Sequence, residues 1–583
     1  MIPPHHRVLA LLCAGFFASP LLAVELASVS IEGLDEALEA NARRQLSLLR
    51  TQATPGGNQF SESRLDYLLR LAPRELREGL EPFGYYDAEV ATDLQRDGDS
   101  VRLRFTVTPG EPVRVRKLDV TMNGEAGSDP AVAANIEAFL PAKGQAFHHG
   151  LYEDSKAGIT RTLLQRGFFD VEPGRHRVEV TRAEHVADIA LDWNSGRRYR
   201  FGPARFEGQQ LEVSLLEKLV PWQDGQVYDQ DQLLALQKTL ADLDYFAGVD
   251  IQPLPGEASD GRVPIQVSLT PAKRNIYSLG LRLGSDSGAG VSASLERRWL
   301  NARGHKLLAV ANLAQRKSDI TAQYRIPAFS GSEGWYALRT TVTKEQFDDI
   351  TTQTFEVALS RTGHWHGWDV VAGLDAKRER YDSLLGTGER DFSTLVYPSL
   401  RGEWKQADDD NTPLHARGVV FEARAGLQAL GSDINFLQLR AEGRYIRAVG
   451  ERNRLLLRGE LGSTFSNRFD QFPPSLRFYA GGDHSIRGFG YKEIGHRLGD
   501  VVVGGRHLAV ASAEFERMFT PTWGAAVFVD AGDAWDEDFK AEIGVGIGLR
   551  WRSPVGPVRV DLGHGLDNSD QAIRLHVSLG PDL

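Results

Sequence analysis

Three short stretches contain residue types that do chemistry in many proteins. Asp483-His484-Ser485 has the composition of a catalytic triad, but adjacent residues cannot adopt the relay geometry, and the chain has no Gly-x-Ser-x-Gly elbow. His364-Trp365-His366 and His148-His149 each offer two metal ligands without a third nearby. The sequence therefore predicts a protein that is not an enzyme and that has no metal site and no cofactor.

A fourth stretch, residues 481–491, reads Gly-Gly-Asp-His-Ser-Ile-Arg-Gly-Phe-Gly-Tyr, with Arg487 between apolar neighbours. Glycines allow a backbone to pass close to another surface, and a buried guanidinium needs acidic partners. Acidic residues follow at 512–517, Ser-Ala-Glu-Phe-Glu-Arg, and at 528–532, Phe-Val-Asp-Ala-Gly. Which of them faces Arg487 depends on the elements that carry these stretches.

The ends of the chain and its charge narrow the class of protein. Arg7, the apolar run that follows it and the Leu-Leu-Ala at 21–23 predict a signal peptide over residues 1–23. The one cysteine, Cys13, lies inside this segment, so a mature chain from Val24 has no disulfide or thiolate site. No later stretch reaches the roughly 18 apolar residues of a membrane-spanning helix. The net charge of -11 argues against nucleic acid as a partner, which leaves a secreted soluble protein or a β-barrel.

The first half of the mature chain repeats one pattern three times. Each copy starts with a short strand ending in glycine, at Gly33, Gly124 and Gly208, which are 91 and 84 residues apart. Leucines at helical spacing follow, then an aromatic turn and two alternating strands. The pattern predicts three strand-helix-helix-strand-strand domains, over residues 24–110, 111–196 and 197–272.

From Ile276 onward the period changes to short alternating runs separated by Gly, Asp and Asn. Sixteen candidate strands fit between Tyr277 and Gly580, at the spacing of roughly 9–11 residues per strand plus loops that an outer-membrane barrel requires. Eight of the ten tryptophans lie in this half, as an aromatic girdle needs, whereas a soluble β-sandwich explains neither feature. The predicted fold is α+β periplasmic domains followed by an all-β transmembrane barrel of 16 antiparallel strands over 273–583.

Several stretches resemble the outer-membrane-protein-85 (Omp85) superfamily. Residues 485–491, Ser-Ile-Arg-Gly-Phe-Gly-Tyr, resemble its loop-six signature, and 528–532 resemble its aromatic-x-Asp-x-Gly motif on strand thirteen. Gly504-Gly505 with 512–517 is similar to the twelfth strand, and the three repeats resemble polypeptide-transport-associated (POTRA) domains. The resemblance implies a barrel in the bacterial outer membrane with its POTRA domains in the periplasm.

Three repeats before sixteen strands resemble the translocation and assembly module subfamily, TamA. This implies insertion or secretion of autotransporter-type β-barrel clients through a lateral seam, in contact with the lipid bilayer. It also implies that the POTRA domains dock an inner-membrane-anchored TamB-like protein. Two alternatives stay open: a two-partner-secretion-type transport pore, and a conduit for lipid transport to the outer membrane.

The resemblance assigns roles to individual residues. The loop-six motif comprises Ile486, Arg487, Gly488, Phe489 and Tyr491, and the barrel motif comprises Phe528 and Gly532 around Asp530. Because side chains alternate along a strand, Asp530 faces the lumen while Val529 and Ala531 face lipid. A loop folded back into the barrel then brings Arg487 to the predicted lumen partners Asp530, Glu514 and Glu516.

Strands one and sixteen close the predicted barrel and form a candidate seam, with Tyr277, Gly280 and Gly284 on one side and Ile573 and Gly580 on the other. An open seam exposes backbone amides and carbonyls to lipid, at several kcal/mol for each unsatisfied group. A client strand would satisfy them. The glycines are expected to weaken or kink this seam.

Overall fold

The computed structural model describes residues 23–53, 58–329, 334–348, 350–382, 390–409, 411–554, 556–566 and 573–579. Except for Ala23, the predicted signal peptide lies outside these residues, as does Gly580. The chain divides into two compact units. One contains the chain up to Gly202 with residues 224–231 and 255–263, and the other contains residues 203–223, 232–254 and the chain from Pro264 onward.

The first N-terminal domain is a four-stranded sheet covered by helices. Its elements are β1 (Ala23–Glu32), α1 (Glu36–Gln45), α2 (Ser47–Gln52), β2 (Gln59–Ser61), α3 (Glu62–Leu80), β3 (Glu89–Asp97) and β4 (Ser100–Thr108). The strand order is β2-β1-β4-β3, with β1 parallel to β4. Leucines of α3 at the predicted helical spacing, Leu65, Leu68 and Leu76, are buried against Phe105 of β4. Strand β2 is an addition that the repeat pattern did not predict.

The second and third domains have the predicted order of elements. The second contains β5 (Arg114–Asn123), α4 (Pro130–Glu137), α5 (His149–Gln165), β6 (Glu172–Thr181) and β7 (Val186–Asn194). The third contains β8 (Arg200–Glu207), α6 (Val213–Leu216), α7 (Gln230–Asp242), β9 (Phe246–Pro253) and β10 (Arg262–Pro271). Their sheets are ordered β5-β7-β6 and β8-β10-β9. In all three domains the last strand therefore lies in the middle of the sheet, next to the first.

The repeated glycine after the first strand has the same structural cause in the first and third domains. Gly33 and Gly208 have φ of +92° and +75°. A Cβ on either would lie 2.2 Å from a carbonyl oxygen of the neighbouring strand, that of Val107 or of Leu269. A side chain is excluded both by the left-handed backbone and by the lack of space.

Sixteen strands form one antiparallel sheet in the C-terminal half, as the sequence predicted. Each strand pairs with the next in the chain, apart from the two short strands β22 and β23, which form a separate hairpin. The strands are β11 (Asn275–Gly284), β12 (Gly288–Arg297), β13 (Lys306–Ala314), β14 (Lys317–Pro327), β15 (Gly334–Phe347), β16 (Ile350–Trp365), β17 (Trp368–Asp382), β18 (Arg390–Ala407), β19 (His415–Gly426), β20 (Phe436–Val449), β21 (Asn453–Ser466), β22 (Arg497–Leu498), β23 (Val501–Val502), β24 (His507–Met518), β25 (Trp523–Trp535), β26 (Glu542–Ser553), β27 (Gly556–Gly565) and β28 (Arg574–Leu579). Within the described part of the chain, no helix has the length and apolar character needed to cross a membrane.

Three of the tryptophans that the sequence assigned to a girdle differ in their exposure. Trp523 and Trp551 are cross-strand neighbours on β25 and β26, stacked with ring centroids 5.4 Å apart and exposed at the barrel surface. Trp335 instead is buried beside Tyr245 of the third domain, with the Lys306 ammonium over both rings. Of these three residues, only Trp523 and Trp551 have the exposure that an interfacial aromatic residue needs.

The segment between the eleventh and twelfth barrel strands, residues 467–506, is called loop six below. It folds back on itself, with bridges from Phe478 to Gly505 and from Ala480 to Ile494. Its apolar side chains pack with Leu508 and Val510 of β24 and Ala534 of β25 in one buried cluster. The loop therefore packs against the barrel strands that follow it.

Candidate functional site

Arg487 of loop six is held by three carboxylates. Its Nε and Nη2 donate to the two oxygens of Asp530 at 2.8 and 3.0 Å, and its backbone N–H donates to the same carboxylate at 3.0 Å. Nη1 donates to Glu514 at 2.6 Å and to Asp561 at 3.1 Å. The guanidinium carbon lies 3.5 Å from the ring centroid of Phe528. We call Arg487 with Asp530, Glu514 and Asp561 the arginine anchor; its bidentate contact is the strongest geometry open to an arginine.

Strand alternation explains how the barrel presents these groups. Asp530 and Phe528 lie on β25 and are buried, while Val529 between them and Val527 before Phe528 are about half exposed, as lipid-facing residues should be. Ser512 of β24 is directly opposite Asp530 and donates its hydroxyl to that carboxylate at 2.6 Å. The period-two pattern thus places Asp530 in the lumen, on the face predicted from the sequence.

A second arginine lies beside the anchor and binds two of its carboxylates. Arg550 of β26 donates to Glu514 at 2.6 Å, to Glu516 at 2.9 Å and to Asp561 at 2.5 Å. Among the described residues Arg487 makes no contact with Glu516, so the prediction of Glu516 as its partner is wrong. Glu516 lies two residues beyond Glu514, about 7 Å farther along β24, and binds Arg454 and Arg550 instead.

Glycines let the loop backbone touch the barrel wall. A Cβ on Gly544 of β26 would lie 1.8 Å from the carbonyl oxygen of Arg487. A Cβ on Gly563 of β27 would lie 2.6 Å from the backbone nitrogen of Gly488. Gly488 has φ +95° and leaves no room for a side chain against the backbone of Gly565. Side chains at these positions would lift the loop away from β26 and β27.

The remaining motif residues fix the loop on both sides of Arg487. Ile486 and Phe489 are buried in the apolar cluster with Leu508. The Tyr491 hydroxyl donates to Glu345 of β15 at 2.7 Å. Together with the anchor, these contacts attach loop six to strands on distant parts of the barrel wall.

The two ends of the barrel sheet meet at few points. β11 has ten residues and β28 has six, and they are not paired in a ladder. Ser285, just after β11, donates its N–H to the carbonyl of Val577 at 3.2 Å, and Val577 donates its N–H to the Ser285 hydroxyl at 2.6 Å. The Ser285 hydroxyl also lies 3.5 Å from the Val577 carbonyl oxygen, and among the described residues no other hydrogen bond joins the two sides. Within the described residues, most of the outer edge of β11 therefore has no strand paired with it.

The candidate seam residues lie around this open edge. Tyr277, Leu279 and Leu281 of β11 are 73%, 89% and 79% exposed. Ile573 precedes β28 and is 67% exposed. The register between β11 and β12 runs through Gly280 and Gly284 without a shift. The expected kink is therefore absent from this side of the seam in the described strands, because both glycines keep regular pairing with β12.

The sequence did not predict that three residues meet at the seam. Asp483 of loop six contacts Asp286, in the turn between β11 and β12, and His576 of β28. They are 197 and 93 residues away from Asp483 in the chain. Asp561 and Arg550 were also missed, although alternation in the strand Val-Arg-Val-Asp-Leu at 558–562 already places Asp561 on the lumen face.

The histidines and the triad-like stretch have other partners. His148 accepts the N–H of Leu151 as the cap of α5, His149 binds the Tyr86 hydroxyl at 2.7 Å, and His364 lies 3.1 Å from Asp369. In the stretch 483–485, the Ser485 hydroxyl accepts the N–H of Gly481, and Asp483 binds His576 rather than its neighbour. These side chains therefore make structural hydrogen bonds, and Asp483 does so with a residue far away in the chain.

Comparison with known proteins gives one family model for the barrel and two for the repeats. Residues 300–582 match the Omp85 superfamily domain, residues 28–109 match the first POTRA domain of TamA, and residues 199–272 match the POTRA surface antigen variable number repeat. The chain is similar to outer membrane protein assembly factor BamA of Nitratidesulfovibrio vulgaris, with 23% identity over 85% of this chain. It is also similar to BamA of Neisseria meningitidis serogroup B, with 21% identity over 95% of this chain. It spans 66% of the length of the first relative and 78% of the second.

The fold also matches a solved structure. BamA from Haemophilus ducreyi lacking POTRA domains 1-3 aligns with a TM-score of 0.70 and 17% identity, covering 80% of this chain and 99% of that one. At this identity the match establishes the fold. The chain is an outer-membrane β-barrel that follows periplasmic POTRA domains, and its barrel is similar to the Omp85 superfamily domain.

Proposed function

We propose that this protein assembles other β-barrels by offering the free edge of β11 to a strand of the client. The observation that carries the proposal is the short contact between β11 and β28 at Ser285 and Val577. Among the described residues no strand pairs with the outer edge of β11, and inside a bilayer each backbone group left without a partner costs several kcal/mol. A client strand that pairs with β11 removes this cost, as in other cases of β-strand addition.

The finer assignment is to a TamA-like factor for autotransporter-type clients. The match of residues 28–109 to the first POTRA domain of TamA supports it, as does the number of N-terminal domains, while the curated relatives are named BamA. Pairing of a client strand with β11 forms hydrogen bonds and makes or breaks no covalent bond, so we propose that the protein is not an enzyme. We further propose that residues 1–23 are a cleaved signal peptide.

The POTRA domains are the proposed docking site for an inner-membrane-anchored TamB-like protein. β3 of the first domain and β6 of the second are edge strands, and most of their residues are exposed. An edge strand presents a row of unpaired backbone groups that an extended segment of a partner can join. The same two edges are therefore the surfaces at which we expect this partner.

Crosslinking from the edge of β11 tests the proposed activity. Ser278→Cys places a thiol on β11, and Ser294→Cys, the matched control, lies directly opposite on β12, which is paired on both sides. Each variant is placed in lipid vesicles with an autotransporter β-domain that has one cysteine in its last strand. We expect a disulfide-linked client from Ser278→Cys and little from Ser294→Cys.

Two other results would reject the proposal in favour of a transport role. Client insertion with equal crosslinking from both positions would exclude the β11 edge as the template. Ion conductance on removal of residues 481–491 without any client insertion would support a secretion pore, and lipid transfer between vesicles without insertion would support a lipid conduit.

A further inference from the structure

Asp483 of loop six binds the turn after the first barrel strand through a reciprocal pair of hydrogen bonds. The Asp483 N–H donates to the Asp286 carboxylate at 2.8 Å, and the Asp286 N–H donates to the Asp483 carboxylate at 3.3 Å. Gly482 makes this approach feasible, because it has φ +107° and a Cβ there would lie 2.6 Å from the Asp286 carboxylate. Loop six is therefore attached to the β11 side of the seam.

The same side chain binds the other side of the seam. The second Asp483 oxygen lies 2.7 Å from Nδ1 of His576 on β28, and both side chains are less than 5% exposed. Nε2 of His576 accepts the N–H of Gly488 at 2.9 Å. Because Nε2 accepts this hydrogen bond through its lone pair, the ring proton is on Nδ1, which donates to Asp483. The imidazole is thus held in one tautomer by two hydrogen bonds to loop six.

Among the described residues, these four hydrogen bonds of loop six outnumber the three that join Ser285 and Val577 directly. β11 and β28 meet through Ser285 and Val577, whereas Asp483 alone bonds to groups on both sides. We propose that Asp286, Asp483 and His576 form a clasp that holds the seam closed through loop six, so that movement of loop six opens the seam. We call these three residues the seam clasp.

The position of the clasp connects it to the arginine anchor. Asp483 lies four residues before Arg487, and Gly488, which donates to His576, follows Arg487 directly. The short segment 483–488 therefore carries both attachments of the loop, the clasp and the anchor. The clasp extends the proposed function, and rests on it, by assigning control of the β11 edge to loop six.

A metal ion is a weaker occupant for the same residues, although the three ligand atoms lie within 4.8 Å of one another. Both ring nitrogens of His576 already have partners, and coordination through either would break a hydrogen bond to loop six. The hydrogen-bonded clasp needs no such rearrangement. Addition of Zn²⁺ or EDTA to the protein distinguishes the two cases.

Distance measurements across the seam test the clasp without a client. Spin labels at Leu279→Cys on β11 and Leu575→Cys on β28 sit on exposed positions at the two sides. In the full chain in lipid vesicles, Asp483→Ala should raise the ratio of open to closed molecules about tenfold, the change expected from losing charge-assisted hydrogen bonds. Asp500→Ala, an exposed residue of the same loop, is the matched control and should leave the ratio unchanged.

Asp286→Ala removes one side of the clasp and should open the seam to a smaller extent. Folding of each variant is checked by the mobility difference between unheated and heated barrel on gels. The clasp is rejected if folded Asp483→Ala and Asp286→Ala give the distance distribution of Asp500→Ala, or if EDTA alone opens the unmodified protein. If Asp483→Ala opens the seam as expected but the client is not crosslinked to β11, the proposed function is rejected and the clasp is retained.

Discussion

Loop six is attached to the barrel at two places whose chemistry is opposite in kind. The arginine anchor places the buried Arg487 guanidinium among carboxylates of β24, β25 and β27. The Arg550 guanidinium lies beside the anchor and binds two of the same carboxylates. The seam clasp sets two carboxylates beside each other with a neutral imidazole. Opposite charges make the first attachment strong, whereas the repulsion between two neighbouring carboxylates makes the second attachment weaker. A strong attachment next to a weak one allows the loop to release the seam without leaving the barrel.

The largest effect is expected at the anchor. Arg487→Ala leaves Asp530, Glu514 and Asp561 buried without one of their cations, at a cost of about 3–5 kcal/mol. The urea concentration that unfolds the barrel, followed by gel mobility, should fall markedly. Arg497→Ala, an exposed arginine of the same loop, should leave it unchanged. Equal resistance of both variants to urea would mean that the anchor does not stabilise the loop.

An intermediate effect is expected where the loop backbone meets the wall. Gly544→Ala puts a Cβ against the Arg487 carbonyl and should destabilise the barrel by about 1–3 kcal/mol through overpacking. Gly443→Ala on β20 is the matched control, since a Cβ there has no neighbour within 4 Å. Protease cleavage within loop six should become faster in the first variant only. Similar cleavage rates in the two would show that the close backbone contact is not required.

The smallest effect is a pH dependence confined to the clasp. Burial, and then the nearby Asp483 carboxylate, raise the pKa of Asp286 from its usual range to about 7. The other charged or titratable groups that face it are His576, Tyr491 and Arg316, whose guanidinium lies 3.5 Å from the Asp286 carbonyl. Because the closed form binds the proton more tightly, closure is favoured most below the ordinary pKa, about 4, and is lost as the pH rises through about 7.

The spin-label distances measure this dependence directly. The open population should increase between about pH 5 and pH 7 and level off above that, and Asp286→Asn should remove the change. The anchor, whose charges are paired, should show no corresponding change in this range. A seam that opens on acidification instead would contradict the assigned protonation of Asp286.

The sequence was sufficient to predict the architecture, the position of loop six and the contact of Arg487 with Asp530. Period-two alternation and the strand count locate Asp530 on a lumen face and loop six after the eleventh strand, and the glycine-ended strands identify three repeats. Glu516 was assigned wrongly because alternation gives the face of a strand and not the distance along it. A choice between Glu514 and Glu516 depends on how deep the loop reaches, which follows from tertiary packing.

The seam clasp lay beyond sequence reasoning for a different reason. His576 is an isolated histidine in an alternating strand, and Asp286 is an ordinary turn residue. Their contact with Asp483 depends on how the two ends of a sixteen-stranded sheet approach each other and on where the loop passes. No local pattern contains that information, because the residues are 93 and 197 positions away from Asp483 in the chain.

The open edge of β11 has a consequence for which clients it accepts. Its apolar side chains, Tyr277, Leu279 and Leu281, alternate with Ser278 and Arg282 on the opposite face. A strand that pairs here must alternate in the same phase, since a slip of one residue would turn its apolar side chains away from lipid. Under the proposed function, the edge would select by periodicity and not by the identity of any residue, so that one template would suit many unrelated barrel strands and reject those whose pattern is out of step.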